Sequence, residues 1–457
     1  MRDMSETILL PVETQTREFD GKLLTACSIA ERGVPVILGS RVEMHMKIAR
    51  IPGGFYHAKD VRRPSCRIFR IMRRLGYRIS MLDEEAIVYF SPASYHSHRV
   101  AERAMAHIDE FFAWGPDNVR LIETAPGYHG QPIRMPGNPR MDLLRPELRG
   151  YFEQRVREYR ERFGDFILIN SNFGTVNHYF PNLSRASATG VKLASYIRPD
   201  SFIAEAFAFR AHILEGFLEL LPRLADAFPD TPIVIRPHPA ENHDTWRRAA
   251  GGRANVHVIH EGNVYSWLMA SAVKIHNGCT TAVESFLLGQ QSVAYRPRRS
   301  EFFELALPNN LSLCADSGDA LLEMVKGLME RPDHAGPTRE QNEIAAHYFA
   351  ALDGPLAADR TADELIRLRE ESAGRTKPAL PVRLAAKASA TVREVEKRIN
   401  ERRPNHKNSR AYTRHRFPGI DAAAVNDQIA DYSRLLGRFQ TLRARAVGTN
   451  LFSIETG

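Results

Sequence analysis

Two short segments about forty residues apart constrain this chain most: IRPHPAE (Ile235–Glu241) and HNGCTTAVESFLLG (His276–Gly289). The first closes an apolar β run, PIVIRPHP, with two prolines. A proline on each side of His238 ends the ladder and fixes the local φ, which leaves Arg236 and His238 at the strand's end. The second segment follows another apolar run, SAVKI, with a small-residue turn and then a helix carrying Glu284. Successive strand–turn–helix units build a parallel sheet with crossover helices. They bring a guanidinium, an imidazole, a helix N-terminus and a carboxylate to one sheet edge, and in open α/β sheets that edge is where ligands bind.

Each residue type suits a nucleotide phosphate or ribose. Arg236 presents a planar fork of donors matched to phosphate oxygens, and His238 adds another donor. A surface arginine and a loop histidine are the plainer reading of the same pair. Asn277 precedes Gly278, which permits a tight strand-to-helix turn. Thr280 or Thr281 can cap the following helix, whose N–H groups favour an anion; a well-capped helix accounts for the threonines equally well. Glu284 lies one turn in, among Ala282, Val283, Phe286 and Leu287, where it can accept both hydroxyls of a ribose. A first-turn glutamate facing the helix dipole is its structural alternative. The polar loop Asn170-Ser-Asn172-Phe-Gly174, after the strand FILIN, offers Asn172 to the same ligand.

The rest of the chain repeats the alternation of strand and helix. TILLPVE, VPVILGS and YRISML read as strands, AIVYF as a short one, and DGKLLTACSIAERG, RRPSCRIFRIMRRLG and SHRVAERAMAHIDEFFAWG as helices. After the charged helix RGYFEQRVREYRERFG a second α/β run begins at DFILINSNFG and continues to DALLEMVKGLME. The expected division is an N-terminal Rossmann-like acceptor domain over residues 1–147, a linker helix over 148–164, a nucleotide-donor domain over 165–370, and a basic segment with a C-terminal helix over 371–457. The turn at Asn138-Pro139 reads as a structural hinge.

Two acidic stretches end first-domain strands. TILLPV runs into Glu13-Thr-Gln-Thr-Arg17-Glu-Phe-Asp20-Gly21, and YRISML runs into Asp83-Glu84-Glu85. Group transfer from an activated sugar needs one carboxylate, as base or nucleophile, so Glu13, Asp20, Asp83, Glu84 and Glu85 are its candidates. Helix-start and capping roles fit the same acids. Arg17 is a candidate for holding a substrate carboxylate.

Charge is unevenly placed. Arg375–Arg416 carries thirteen Lys/Arg against three Glu, and Arg41–Arg78 eleven against two acids, within a chain of net charge +8. Such segments suit phosphate-rich partners, or are solvated faces. Of the phosphate-rich partners, an anionic membrane is expected and nucleic acid is not. Cys27, Cys66, Cys279 and Cys314 are too widely spaced for a zinc site and read as reduced thiols. His96/His98 and His257/His260 lack a third ligand at metal-site spacing, so no metal is expected. GxxxxGK[ST], GxGxxG and GxSxG are absent, which argues against P-loop, fingerprint-dehydrogenase and α/β-hydrolase chemistry. No apolar run reaches the roughly 18 residues of a membrane span. MRDMSETILLPVE lacks the pattern of a secretion signal, so a cytoplasmic protein is expected.

The segments LLPVETQTREFDGKLL, SMLDEEA, MPGNPRMDLLRPELR, FILINSNFGTVNH, IRPHPAEN, NGCTTAVESFLLG and YTRHRFPG, in this order over almost the whole chain, resemble the surface carbohydrate (surface polysaccharide) biosynthesis proteins of bacteria. The His-Pro and S/T-x-x-E elements are also similar to those of GT-B transferases that use CMP-activated acids, the Kdo transferases and bacterial sialyltransferases. The resemblance implies two Rossmann-like domains facing a cleft and a C-terminal helical extension. It implies that His238, Thr280 and Thr281 hold the CMP phosphate and Glu284 the ribose. The expected activity is metal-independent transfer of Kdo or another nonulosonic acid from a CMP-sugar, with no separate cofactor, to a glycan or lipid-linked acceptor at the inner face of the inner membrane. Related His-Pro elements occur in teichoic-acid glycerophosphotransferases and UDP-GlcNAc 2-epimerases, so a CDP-polyol phosphotransferase, a UDP-GlcNAc 2-epimerase-like enzyme and a non-catalytic assembly protein stand as alternatives. The resemblance does not choose among the first-domain carboxylates.

Overall fold

The computed structural model describes residues 7–51, 54–179, 200–330, 336–372, 376–403 and 409–457. The chain forms two units: Met1–Ile87 with Pro92–Tyr151 and Ala346–Gly457, and Val88–Ser91 with Phe152–Ala345.

The first unit is built on strands β1 (Ile8–Val12), β2 (Val36–Ser40), β3 (Phe55–Ala58), β4 (Arg78–Leu82), β5 (Glu110–Phe112) and β6 (Ile133–Arg134), joined late by β13 (Leu442–Gly448) and β14 (Leu451–Thr456). The sheet order is β13-β14-β2-β1-β3-β4-β5-β6. The first six strands run parallel, whereas β14 pairs antiparallel with β2 and β13 antiparallel with β14. β1 and β2 are buried at every residue, the continuous apolar pattern of strands covered on both faces. From β1 the chain moves outward to β2 and then returns to β3 on the other side, so β1 and β3 flank a topological switch point.

The second unit carries β7 (Ile167–Asn170), β8 (Ile233–Arg236), β9 (Val256–Val258), β10 (Val273–His276), β11 (Val293–Tyr295) and β12 (Leu313–Ala315). All pairs are parallel, in the order β12-β11-β10-β7-β8-β9. Counted from β7 this is 6-5-4-1-2-3, the Rossmann order, with its switch point between β7 and β10. Ile167, Ile169, Ile233, Ile235, Val273 and Ile275 share one core with Phe217, Leu220, Leu221 and Leu224 of the long helix Asp200–Ala227.

Three local expectations change. FYHA, unread as a strand, is β3, while AIVYF forms none. The helix expected over SHRVAERAMAHIDEFFAWG breaks into Pro92–Arg99, Glu102–Met105 and then β5. There Asp109 accepts from the Ile79 N–H at 2.8 Å and ties the EFF run to β4.

The domain division also differs. Residues 346–457 belong with the first unit, not with 165–370 or as a separate extension. Phe452 and Ile454 of β14 are buried, and the Tyr432 hydroxyl donates to the Asp20 carbonyl at 2.9 Å. The helix Ala357–Glu370 packs on the helix Gln15–Glu31. Its first N–H groups, from Ala357 and Ala358, donate to the two oxygens of the buried Asp142 at 2.9 and 2.8 Å. Asp142 therefore caps a helix 215 residues away in sequence. Its replacement leaves two buried donors without acceptors. Asp142→Ala is expected to cost about 2 kcal/mol, and more than Asp142→Asn, in denaturant unfolding of the full chain.

Candidate functional site

The register of the second sheet places the sequence-predicted residues. Asn170, Arg236 and His276 are direct partners on three adjacent strands, so β7, β8 and β10 end on one row. The loops that follow carry Asn172, His238 and Asn277-Gly278. Asn172 and Asn277 join across the switch point: the Asn277 Oδ1 accepts from the Asn172 N–H at 2.9 Å. Gly278 has φ +79, a conformation that favours glycine. Its N–H donates to Nδ1 of the buried His276, whose Nε2 lies 2.9 Å from Ser312 Oγ. Burial pushes the His276 imidazole down to about 3, so it is a neutral brace for this turn.

Beside the turn lies a small, open pocket of about 40 Å³ lined by Asn172, Asn277, Gly278, Arg210, Arg296 and Asn309, among others. The Arg296–Glu304 pair closes one side with two contacts of 2.6 Å. Asn309 Oδ1 is buried and has no hydrogen-bond partner among the described residues.

Arg236, His238 and Glu284 do not line that cavity. Arg236 donates from Nη2 to the Gly262 carbonyl at 2.7 Å. Its Nε is buried with no partner among the described residues. Burial lowers the guanidinium to about 10, partly offset by Tyr159 and Glu284. It remains a cation at neutral pH, in the field of the Glu284 carboxylate. Glu284 is buried on the helix Thr280–Leu287. Neither Thr280 nor Thr281 caps that helix: the capping position is Cys279, without a side-chain bond, and Thr281 Oγ1 contacts Cys279 Sγ at 2.6 Å. His238 is exposed, and its Nδ1 accepts from the Ala240 N–H at 3.2 Å. In neutral imidazole that bond directs the ring proton to Nε2.

The residue that sequence reasoning missed is Glu241, inside the quoted IRPHPAE. It is wholly buried. Oε1 accepts from Ser171 Oγ (2.8 Å), the Phe173 N–H (2.9 Å) and the His238 N–H (3.1 Å). Oε2 accepts from Trp246 Nε1 (3.0 Å) and Asn177 Nδ2 (3.4 Å). One carboxylate thus fixes the loops after β7 and β8 together. Its local signal was an acid beside a proline-framed strand end. The partners that make it a hub are brought in by β7–β8 pairing.

In the first unit the corresponding switch point, between β1 and β3, holds Glu13 and Lys59. Glu13 Oε2 lies 2.8 Å from Lys59 Nζ, 3.2 Å from Arg41 and 3.5 Å from Arg62, and Oε1 lies 2.7 Å from Arg416. Burial works against the Glu13 charge, but Lys59, Arg41 and Arg416 outweigh it and hold the carboxyl far below its usual range. The buried Lys59 also pairs with the buried Glu18 at 2.5 Å. Asp60 binds Arg41, Arg62 and Ser65. Lys59 and Asp60 went unseen because their strand did. Arg416 stands in the quoted YTRHRFPG, 403 residues from its partner.

The other first-unit candidates separate. Asp83 accepts from Arg99 Nε and Tyr95 Oη, each at 2.8 Å, and its oxygens serve that structural pair. Glu85 pairs with Arg99 at 2.7 Å and with Arg17 at 3.5 Å. Glu84 meets Lys22 at 3.2 Å and Asn138 at 3.3 Å. Burial opposes both charges, yet Lys22 and Arg140 hold Glu84 at about 2, and Arg17 and Arg99 hold Glu85 at about 2. Asp20 stands apart. The helix begins at Gln15, which puts Asp20 inside it, turned to Tyr151 (3.3 Å) and Gln428 (3.4 Å). Glu13, Glu84 and Glu85 are thus ionised acceptors at neutral pH, able to stabilise positive charge or act as nucleophiles and poor as proton donors.

Among the described residues no three His, Cys, Asp or Glu side chains form a metal-holding group, and no helix is long and apolar enough to cross a membrane. All four cysteines are free thiols.

No family model and no curated protein matches the chain. Solved structures do. The wall teichoic acid polymerase TagF aligns at 11% identity and TM-score 0.47, over 81% of this chain and 90% of its own. Methanocaldococcus jannaschii UDP-GlcNAc 2-epimerase in complex with UDP-GlcNAc and UDP aligns at 11% and 0.49, over 79% and 99%. S. aureus MnaA with UDP aligns at 11% and 0.48, over 80% and 97%. Likenesses this distant carry no conclusion about this chain, whose α/β architecture rests on its own strand order.

Two outcomes check the geometry. The Lys22–Glu84 pairing contributes stability in full above the unfolded carboxylate value of 4.5 and loses it as pH falls toward about 2. Glu84→Gln therefore flattens the acid limb of thermal stability in that window. Glu241→Ala strands several buried donors and is expected to cost about 3 kcal/mol or more in chemical unfolding. Glu241→Gln keeps the volume and loses less.

Proposed function

We propose that this chain is a nucleotide-sugar-dependent enzyme of bacterial surface-glycan assembly, of GT-B type, and that its second unit binds the nucleotide of the donor. One observation supports this above the rest. Beside the switch point of a Rossmann-ordered sheet, three strands end in register on a half-buried arginine whose Nε has no partner among the described residues, a loop histidine and a glycine turn leading into an uncapped helix. That arrangement suits a phosphate, and Glu284 suits a ribose.

In this reading Arg236 and His238 stabilise the charge that grows on the leaving phosphate, and the half-buried setting of Arg236 strengthens the interaction. Asn172, Asn277 and Gly278 orient the nucleotide, with Thr280 and Thr281 at the helix start. Glu284 accepts the ribose hydroxyls. The reaction is glycosyl transfer from a CMP-activated acidic sugar, Kdo or another nonulosonic acid, to a glycan or lipid-linked acceptor. Glu13 is the best placed of the first-unit carboxylates, since it stands at a switch point and is ionised. It acts on the positive charge that develops at the anomeric carbon, or as nucleophile. Arg17, Arg41, Arg62 and Arg416 suit the negative charge of an acidic sugar or a phosphate-bearing acceptor.

Calorimetric titration of the full chain with CMP, CDP and UDP tests the donor side. Cytidine nucleotides are expected to bind, and Arg236→Ala or Glu284→Ala to weaken them at least about tenfold. Asp83→Asn should leave nucleotide affinity unchanged. Binding of UDP alone, with interconversion of UDP-GlcNAc and no acceptor, would replace transfer by epimerisation. Binding of no nucleotide at all would end the enzymatic reading.

A further inference from the structure

The two basic segments, about three hundred residues apart in sequence, meet on one face of the first unit. The helix Leu380–Glu401 packs along the helix Ser65–Leu75. Its docking side is narrow, with Ala386, Ala390 and Glu394 as its buried residues. Glu394 pairs with Arg50 and Arg398, and Glu396 pairs with Arg67.

The opposite side of that helix carries apolar residues that are exposed among the described residues. Leu384, Val392, Val395 and Ile399 are each more than half exposed. At 3.6 residues per turn they fall within an arc of about 80°, on the far side from the buried alanines. Single exposed apolar residues are ordinary, but four in a continuous stripe are not. Exposed cations stand on or just after this helix at Lys387, Arg402 and Arg403, and the neighbouring helix exposes Arg70 and Arg74.

We infer that this face docks on an anionic lipid bilayer, with the stripe entering the headgroup boundary and the cations meeting lipid phosphates. An apolar stripe bordered by Lys and Arg on a helix lying along a folded unit is the pattern of an interfacial helix. Charge decides between occupants. A second copy seated on this stripe by a two-fold axis would bring the same cationic rim against itself. Nucleic acid would answer the cations and leave the apolar residues exposed. An anionic membrane answers both. The inference does not depend on the nucleotide reading, and either can fail alone.

Cosedimentation of the full chain with vesicles tests it. Vesicles of phosphatidylcholine with about one third phosphatidylglycerol are expected to bind the protein at least about tenfold more tightly than phosphatidylcholine alone. Val395→Asp/Ile399→Asp and, separately, Arg402→Glu/Arg403→Glu should each weaken binding at least about tenfold, with unchanged circular dichroism melts because all four positions are exposed. Equal binding to both vesicles, binding to neither, or binding indifferent to both variants would overturn the inference. So would a dimer in solution that Val395→Asp/Ile399→Asp dissociates while the parent chain ignores vesicles.

Discussion

A parallel sheet has one place where neighbouring strands send their chains to opposite sides, and both units are organised by that constraint. Between β7 and β10 it separates the Asn172 loop from the Asn277-Gly278 turn. Between β1 and β3 it separates Glu13 from Lys59. Backbone groups and side chains there have lost their sheet neighbours and must find other partners. The two units solve this with opposite chemistry. The second uses amides, glycine and a neutral histidine, beside two guanidinium groups that burial lowers, Arg236 and Arg210. The first fills the gap with interlocked ions.

Those choices have energetic consequences. A buried carboxylate such as Glu241 is tolerable because five donors converge on it, and its own removal leaves those donors without their acceptor. The same holds for Lys59 between Glu13 and Glu18. Arg236 is different. Burial lowers its guanidinium to about 10, still a cation at neutral pH, and among the described residues its hydrogen bond runs from Nη2 to the Gly262 carbonyl. Asp83 is closed by Arg99 and Tyr95, whereas the Arg236 Nε is buried without a partner among the described residues.

Much of this was legible in the sequence because it is local. The apolar runs of β1, β2, β7, β8 and β10 end in residues that a strand cannot continue, so the edge position of Arg236, His238 and Gly278 follows from spacing alone. Asp20 was misplaced because TQTREFD has no glycine or proline to mark a loop, and the helix starts there instead. FYHA is too short to announce β3, which hid Lys59 and Asp60. Glu241, Arg416 and Asp142 act through partners that only tertiary pairing supplies. The return of residues 346–457 to the first unit was hidden for the same reason. The hairpin β13–β14 has ordinary strand composition, and its place is set by an open β2 edge that nothing nearby in sequence reveals.

The helix Leu380–Glu401 connects these levels. Its outer stripe is apolar, yet its inner side carries Arg393 and Lys397, which stand in the electrostatic field of Arg41. Burial together with Arg393 and Arg41 pushes Lys397 down to about 7, with Glu13 among the groups that oppose the shift. One helix therefore links the exposed basic face to the ionic cluster at the first switch point. A ligand carrying several negative charges would relieve the repulsion among Lys397, Arg393 and Arg41 and return Lys397 to its full charge. Anion binding in the first unit should then take up protons near neutral pH, because the bound state holds more protons than the free one.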